Sequence, residues 1–327
     1  MPRQARLDAS GTLHHVIIRG IEKRRFVDAQ RDREEFVSRL EKVTTDTKTR
    51  VFAWSLLTNH AHLLLRSGPL GLSQFMRRLL TGYAIGYNLR HSRIGHVFHN
   101  RYKSIVCDED AYFRELVRYI HLNPLRAKLV KDLSELNVFP WSGHAVLIGK
   151  IKHAWQERDY TLSWFGQKEG VAKRVYLTYI KEGMSQGKRP DLVGGGLVRS
   201  LGGWSAVVSL RSNKQQELTD ERILGSGNFV EEILKEADER FKSQMLAKKQ
   251  RDNMQKIIED KCRKEKINRK ELRLGGRRRV VSRVRADLAH ILMNELGIPS
   301  AEIARQLGVS TSAIVKLLQR GGKNNST

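Results

Sequence analysis

Apolar and polar positions alternate along the first third of the chain in a way that separates strands from helices. "LHHVIIRG" (Leu13–Gly20) is rich in β-branched residues and closes on glycine, which predicts a strand. "QRDREEFVSRLEKVTTDT" (Gln30–Thr47) puts Phe36, Val37, Leu40 and Val43 on one side at helical spacing, which predicts a helix. "RVFAWSLL" (Arg50–Leu57) and "HAHLLLR" (His60–Arg66) read as strands, and the short link Thr58–Asn59 predicts an antiparallel hairpin. Leu72–His91 predicts a second helix, His99–Cys107 a fourth strand, and Asp108–Asn123 a third helix. Acidic residues open that last helix, where the helix dipole favours them, and Pro124 ends or interrupts it. The order β-α-β-β-α-β-α predicts an α+β, ferredoxin-like antiparallel sheet with helices on one face, over residues 1–140.

The pattern then turns helical. A middle region, 141–241, holds amphipathic stretches such as Val171–Gly183 and Asn228–Phe241, separated by the glycine-rich links "LVGGGLVRSLGG" and "LGSGN". Residues 242–285 read as a basic linker or helix: from Lys248 to Arg285 there are 16 Lys/Arg against 5 Asp/Glu. A solvated charged face is the plain reading of such a run, and a nucleic-acid contact is the functional one. Residues 286–321 predict short helices at Ala286–Gly297, Ser300–Gly308 and Ser310–Gly321. Ala304 is small, Gly308 suits the turn, Ser310 can cap the last helix, and Ile303, Leu307, Ile314 and Leu317 supply a core. This is the helix-turn-helix pattern, with Ser312, Lys316 and Gln319 outward on the recognition helix. An ordinary helical bundle is the bland alternative.

Composition changes the picture through charge. Sixty Lys+Arg face 35 Asp+Glu in 327 residues, a formal net charge of +25 with pI near 10.3. Such an excess points to a polyanionic partner. No apolar run reaches the ~18 residues of a membrane span, and the first residues lack the apolar core of a secretion signal, so nucleic acid is favoured over membrane. The two cysteines, Cys107 and Cys262, stand far apart, which argues against a disulfide framework and fits the cytoplasm.

Candidate chemistry starts at "TNHAHLLLRS". Side chains two apart on a strand share a face, so His60 and His62 project together, about 7 Å apart along the strand. They can grip one metal ion or one phosphate, or they can be surface histidines on an amphipathic strand. "RYIHLNP" adds Tyr119 and Asn123, four apart and so on one helix face. If that helix packs over the sheet at the histidine strand, two imidazoles and an amide oxygen form a partial cage for a divalent cation. Tyr119 is then placed to attack a scissile phosphate. Tyr83, Tyr87, Tyr102 and Tyr112 read as core or groove residues; His14, His15, His96 and His99 rank below the pair, and His121 lies off the Tyr119 face. No Walker-type glycine loop is present, and a covalent ester would need no nucleotide to reseal.

At these residues a resemblance emerges. "NHAHLLL" resembles the His-hydrophobe-His motif of HUH single-strand nucleases. "RYIHLNPLRAKLV", with the first 20 residues and "GHVFHNRYKS", resembles the REP-associated tyrosine transposases, relatives of the IS200/IS605 transposases. The resemblance covers roughly residues 1–140. It implies a single catalytic tyrosine, Tyr119, and Mg²⁺ or Mn²⁺ held by His60, His62 and Asn123, with asparagine where IS200/IS605 relatives use glutamine. It also implies single-stranded DNA bearing REP-like palindromic hairpins as substrate, and a chain acting as monomer or homodimer at the nucleoid. The long extension departs from the compact members of the family.

Two rival readings are a non-enzymatic helix-turn-helix regulator and a plasmid-type replication or transfer nickase. Candidate phosphate contacts are Arg77 and Arg78 on the second helix, Arg101 and Lys103 on the fourth strand, and Arg126 after Pro124. The helix-turn-helix adds a candidate duplex contact.

Overall fold

The structure is a computed structural model that describes residues 7–8, 11–99, 102–187, 189–193, 220–274, 276 and 278–322. These form two compact units, Met1–Ala237 and Asp238–Thr327.

The first unit is built on a mixed sheet. Its strands are β1 (Leu13–Arg19), β2 (Arg50–Leu56), β3 (His60–Arg66), β4 (Lys103–Cys107) and the short β5 (Ile223–Leu224). The order across the sheet is β2-β3-β1-β4-β5. β1 pairs antiparallel with both β3 and β4, β2 with β3, and β5 runs parallel to β4. The fourth strand begins at Lys103, later than the apolar pattern suggests.

The helices cover both faces of the sheet, not one. α1 (Gln30–Thr47) and α2 (Gly71–Arg90) give Phe36, Leu40, Phe75 and Leu79 to a core with Val16, Ile18, Trp54, Leu63 and Leu65. α3 (Glu109–His121) gives Phe113, Leu116, Val117 and Ile120 to a second core with Leu13, Phe52, Leu64 and Ile105. The physical reason lies in the strands: Val51–Trp54 of β2 and Leu63–Leu65 of β3 are apolar without alternation, so an open layer on either side would expose apolar side chains. The α+β class holds, with a sandwiched sheet in place of the one-sided layer.

After α3 come short helices α4 (Asn123–Arg126), α5 (Leu133–Val138), α6 (His144–Leu147) and α7 (Arg158–Ser163), then α8 (Glu169–Glu182). This stretch packs on the sheet itself. Leu147, Leu162, Phe165, Tyr176, Ile180 and Leu192 all join the α3 core. It also covers the β2 edge, where the Leu56 N–H donates to the Trp141 carbonyl at 2.9 Å and the Glu157 N–H to the Val51 carbonyl at 2.8 Å. Covered edges do not recruit foreign strands. Residues 194–219, which hold most of the longer glycine-rich link, lie outside the described residues.

The helix α9 (Gly227–Lys264) gives Val230 to a cluster with Val106 and Ile223 in the first unit. Its later residues Met254, Ile258 and Cys262 belong to the second unit's core. There they join α10 (Arg269–Arg273), α11 (Arg279–Asn294), α12 (Ser300–Leu307) and α13 (Thr311–Gly322). Gly308 ends α12 at φ +67, and a Cβ there would meet the Arg273 carbonyl oxygen at 1.8 Å, so the turn needs glycine. The Ser310 hydroxyl accepts from the Ala313 N–H at 3.2 Å and caps α13. Ser312, Lys316 and Gln319 are exposed.

Candidate active site

The β3 register decides which side chains meet. Arg19 faces His60 and Ile17 faces His62 across the β1–β3 ladder. His15, two residues before Ile17, therefore lies diagonal to His62 on the same face, the face that α3 covers. Tyr119, on the last turn of α3, completes the group. Its ring centroid lies 5.6 Å from that of His62 and 5.8 Å from that of His15, both edge-on. The His60 and His62 rings are 5.3 Å apart. The structure thus brings Tyr119 to the histidine pair within one chain.

Hydrogen bonds orient both histidines of the pair. Asn59 donates through Nδ2 to the Lys23 carbonyl at 3.0 Å, which turns its Oδ1 toward His60 Nδ1 at 2.8 Å. His60 must then carry its proton on Nδ1 and keep an Nε2 lone pair. His62 Nδ1 bonds to His15 Nε2 at 3.0 Å. Among the described residues, none hydrogen-bonds to Nε2 of either His60 or His62.

Electrostatics keeps these rings neutral. Burial lowers the His60 pKa, and the Arg19 charge lowers it further. Burial, then His15, His60 and Arg19, push His62 well below its ordinary value. Burial brings His15 down to about 4, against the Leu192 carbonyl and helped by Lys103. A neutral imidazole is the form that binds a cation. Burial raises the Tyr119 phenol, while the Arg126 and Arg19 charges and the Asn123 amide pull it back toward the phenolate.

Asn123 stands at the start of α4, buried, four residues on from Tyr119. The amide oxygen of Asn123 is the atom that could ligate a cation, and with the two neutral imidazoles it would make a donor set suited to one. Arg126 is half-buried, its guanidinium lies over the Tyr119 ring, and it has no acidic partner among the described residues. Lys103 sits on β4 opposite Ile17, on the same face. Arg77 and Arg78 are exposed on α2, which packs on the opposite face, so the fold does not gather them with the site. Arg101 lies outside the described residues.

Sequence reasoning missed the parts played by His15, Arg19 and Leu192. The period-2 face Leu13–His15–Ile17–Arg19 carried the signal for the first two, once registered against His60 and His62. Leu192 acts through its backbone and left no sequence signal.

A second group of potential ligands, Asp28, Asp32 and His91, has its candidate atoms within 4.8 Å of one another. Asp32 already accepts from the N–H groups of Asp28 and Ala29, from Arg90 Nε at 3.1 Å and from His91 Nε2 at 2.9 Å. Burial pushes its carboxyl up, but those N–H groups outweigh the burial and hold it below the usual range. A carboxylate saturated by donors, one of them a guanidinium, is a helix-capping and ion-pairing group.

A histidine pair and a tyrosine thus meet on one face of a mainly antiparallel sheet. Residues 9–123 match the family described as "Transposase IS200 like". The chain is also similar to a solved structure described as "Structure of the REP associates tyrosine transposase bound to a REP hairpin". That similarity has a TM-score of 0.38 at 17% identity, covering 48% of this chain and 98% of the other. None of the curated proteins compared with the chain matches it. No helix among the described residues is long and apolar enough to cross a membrane.

Proposed function

We propose that this chain is a metal-dependent single-strand DNA endonuclease and strand transferase that works through a 5′-phosphotyrosine at palindromic hairpins. One observation carries the reading. Tyr119 lies 5.6 Å, ring to ring, from His62, one of a histidine pair whose Nε2 atoms are, among the described residues, free of hydrogen bonds.

In the proposed step the Tyr119 oxygen attacks phosphorus. The new bond is tyrosyl O–P and the broken bond is P–O3′. The phenol proton ends on the 3′ oxygen, so the step is proton-neutral overall. Because the ester is retained, a 3′ hydroxyl can reverse the reaction and rejoin a strand without nucleotide hydrolysis. His60, His62 and Asn123 would hold Mg²⁺ or Mn²⁺, which neutralises charge on the phosphate oxygens. Arg126 and Arg19 add positive charge beside the phenol, where the attacking oxygen becomes negative.

The substrate class follows the sequence resemblance to REP-associated transposases. The net charge of +25 suits it, because phosphate contacts dominate nucleic-acid affinity. Tyr119 and the histidines come from one chain, which supports a monomeric catalytic unit. The second unit would contact duplex DNA through α13, with Ser312, Lys316 and Gln319 outward, at the nucleoid in the cytoplasm.

The test is a labelled single-stranded hairpin incubated with the protein and Mn²⁺ or Mg²⁺, resolved on a denaturing gel. A metal-dependent covalent adduct, lost in Tyr119→Phe, is expected. Binding without cleavage or adduct, across several hairpins and both metals, overturns the enzyme in favour of a DNA-binding regulator.

A further inference from the structure

We infer that His15, anchored by a backbone carbonyl from beyond the matched transposase segment, is the positioning residue that fixes the His62 tautomer and so completes the cation site.

The donors and acceptors leave one assignment. His15 Nδ1 lies 3.0 Å from the Leu192 carbonyl oxygen, and a carbonyl only accepts. His15 therefore carries its proton on Nδ1, and its Nε2 is an acceptor. That Nε2 lies 3.0 Å from His62 Nδ1, so His62 must donate from Nδ1. His62 then has its lone pair on Nε2. Reverse any proton in this chain and two donors or two acceptors face each other in a buried site. The contact stacks the two rings at 5.2 Å and 26°, which restrains the His62 ring plane as well.

The anchor is held from several sides. Leu192 lies in a 3-10 turn, Pro190–Val193, and its side chain is buried in the α3 core. Just before it, Arg189 pairs with Asp191 at 2.7 Å and with Glu115 at 2.9 Å. Glu115 is on α3, one turn before Tyr119, and also binds the buried Arg118. The segment that sets the His62 proton is thus clamped to the helix that carries Tyr119. The transposase domain match ends at residue 123, so this segment lies in the extension. The extension therefore supplies part of the support of the site, in addition to any DNA contact of its own. Partners outside the ligand shell of this kind usually alter metal affinity 10–100-fold.

This inference rests on the proposed cation site, and its test separates the two. The full chain, labelled with ¹⁵N-histidine and free of metal, is examined by NMR for side-chain tautomers, with His62 assigned from His62→Gln. An Nδ1–H tautomer for His62 is expected in the wild type. An Nε2–H tautomer overturns the inference whatever the activity. Mn²⁺ affinity is then measured by calorimetry. Gln at position 15 can accept from His62 and donate to Leu192, whereas Phe can do neither. His15→Gln should bind Mn²⁺ within about threefold of the wild type, and His15→Phe about 10–100-fold more weakly. A folded His15→Phe that binds as tightly as the wild type overturns the inference. If His15→Phe does not fold, His15→Gln with a lost Nδ1–H tautomer or affinity overturns it instead. Failure of the wild type to bind Mn²⁺ at all removes the cation reading, and the tautomer alone then decides the role of His15.

Discussion

The Arg126 guanidinium lies 5.4 Å from the centroid of the Tyr119 ring, and its Nη1 donates to Tyr119's own carbonyl at 3.4 Å. No described acidic residue pairs with it, and burial together with the nearby Arg189 and Arg118 charges lowers its pKa. An unpaired, partly desolvated cation is an unfavourable element unless an anion arrives. Arg126→Ala should therefore leave thermal stability nearly unchanged. It should slow adduct formation roughly 100-fold, the scale of losing one group that stabilises transition-state charge. Single-turnover kinetics on a hairpin substrate checks both parts, alongside a melting curve. A large drop in melting temperature with an unchanged rate would assign Arg126 to the fold.

The two candidate cation sites make opposite forecasts. His60→Ala or His62→Ala should remove Mn²⁺ binding while the protein stays folded. Asp32→Ala should leave Mn²⁺ binding intact and destabilise the protein by roughly 3 kcal/mol, because it strips the partner from a buried ion pair. That Asp32 pairs with Arg90 at 3.1 Å and is almost fully buried. Calorimetric stoichiometry with each variant distinguishes the sites.

Acid should weaken the fold through histidines remote from catalysis. Burial lowers His14 to about 4, against the Asp8 charge, and lowers His144 to about 4. Unfolded, both return to about 6.5. Their stabilising effect is therefore complete above pH 6.5 and is lost as pH falls from 6.5 towards 4, where the unfolded chain binds protons that the native one refuses. The denaturation midpoint should decline across that window. His144→Gln should flatten the slope by about one proton. A midpoint independent of pH between 7 and 4.5 would contradict this.

Gly308 predicts the behaviour of the second unit. Any side chain there combines a left-handed backbone with a clash against Arg273. Gly308→Ala should destabilise this unit by at least about 1–3 kcal/mol. Duplex DNA affinity should fall if α13 is the contact. Hydrogen exchange across residues 279–318 reads the first effect and a gel shift the second.

Much of the fold and of the site is legible in the amino-acid order alone. Strand and helix periods locate the elements, because side-chain direction repeats every two or 3.6 residues whatever the tertiary context. The same rule puts His60 and His62 on one face. Tyr119 and Asn123 are readable as neighbours because four residues make about one helical turn. Less legible is how the layers stack. The runs Val51–Trp54 and Leu63–Leu65 are apolar without alternation, which signals two covered faces, yet periodicity does not say which helix covers which.

The sequence by itself determined the order of elements, the paired histidines, the tyrosine and the basic character of the chain. These depend on local spacing and composition, which do not need folding to be defined. Only the tertiary structure decided that α3 lies over the histidine face, that His15 rather than His14 joins it, and that the Leu192 carbonyl meets His15 Nδ1. Strand register assigns neighbouring histidines to opposite faces, and a one-residue slip would exchange them. The carbonyl that orients His15 stands 177 residues away in sequence and belongs to the backbone, which is chemically the same at every residue. Its role comes from position alone, and position is what folding creates.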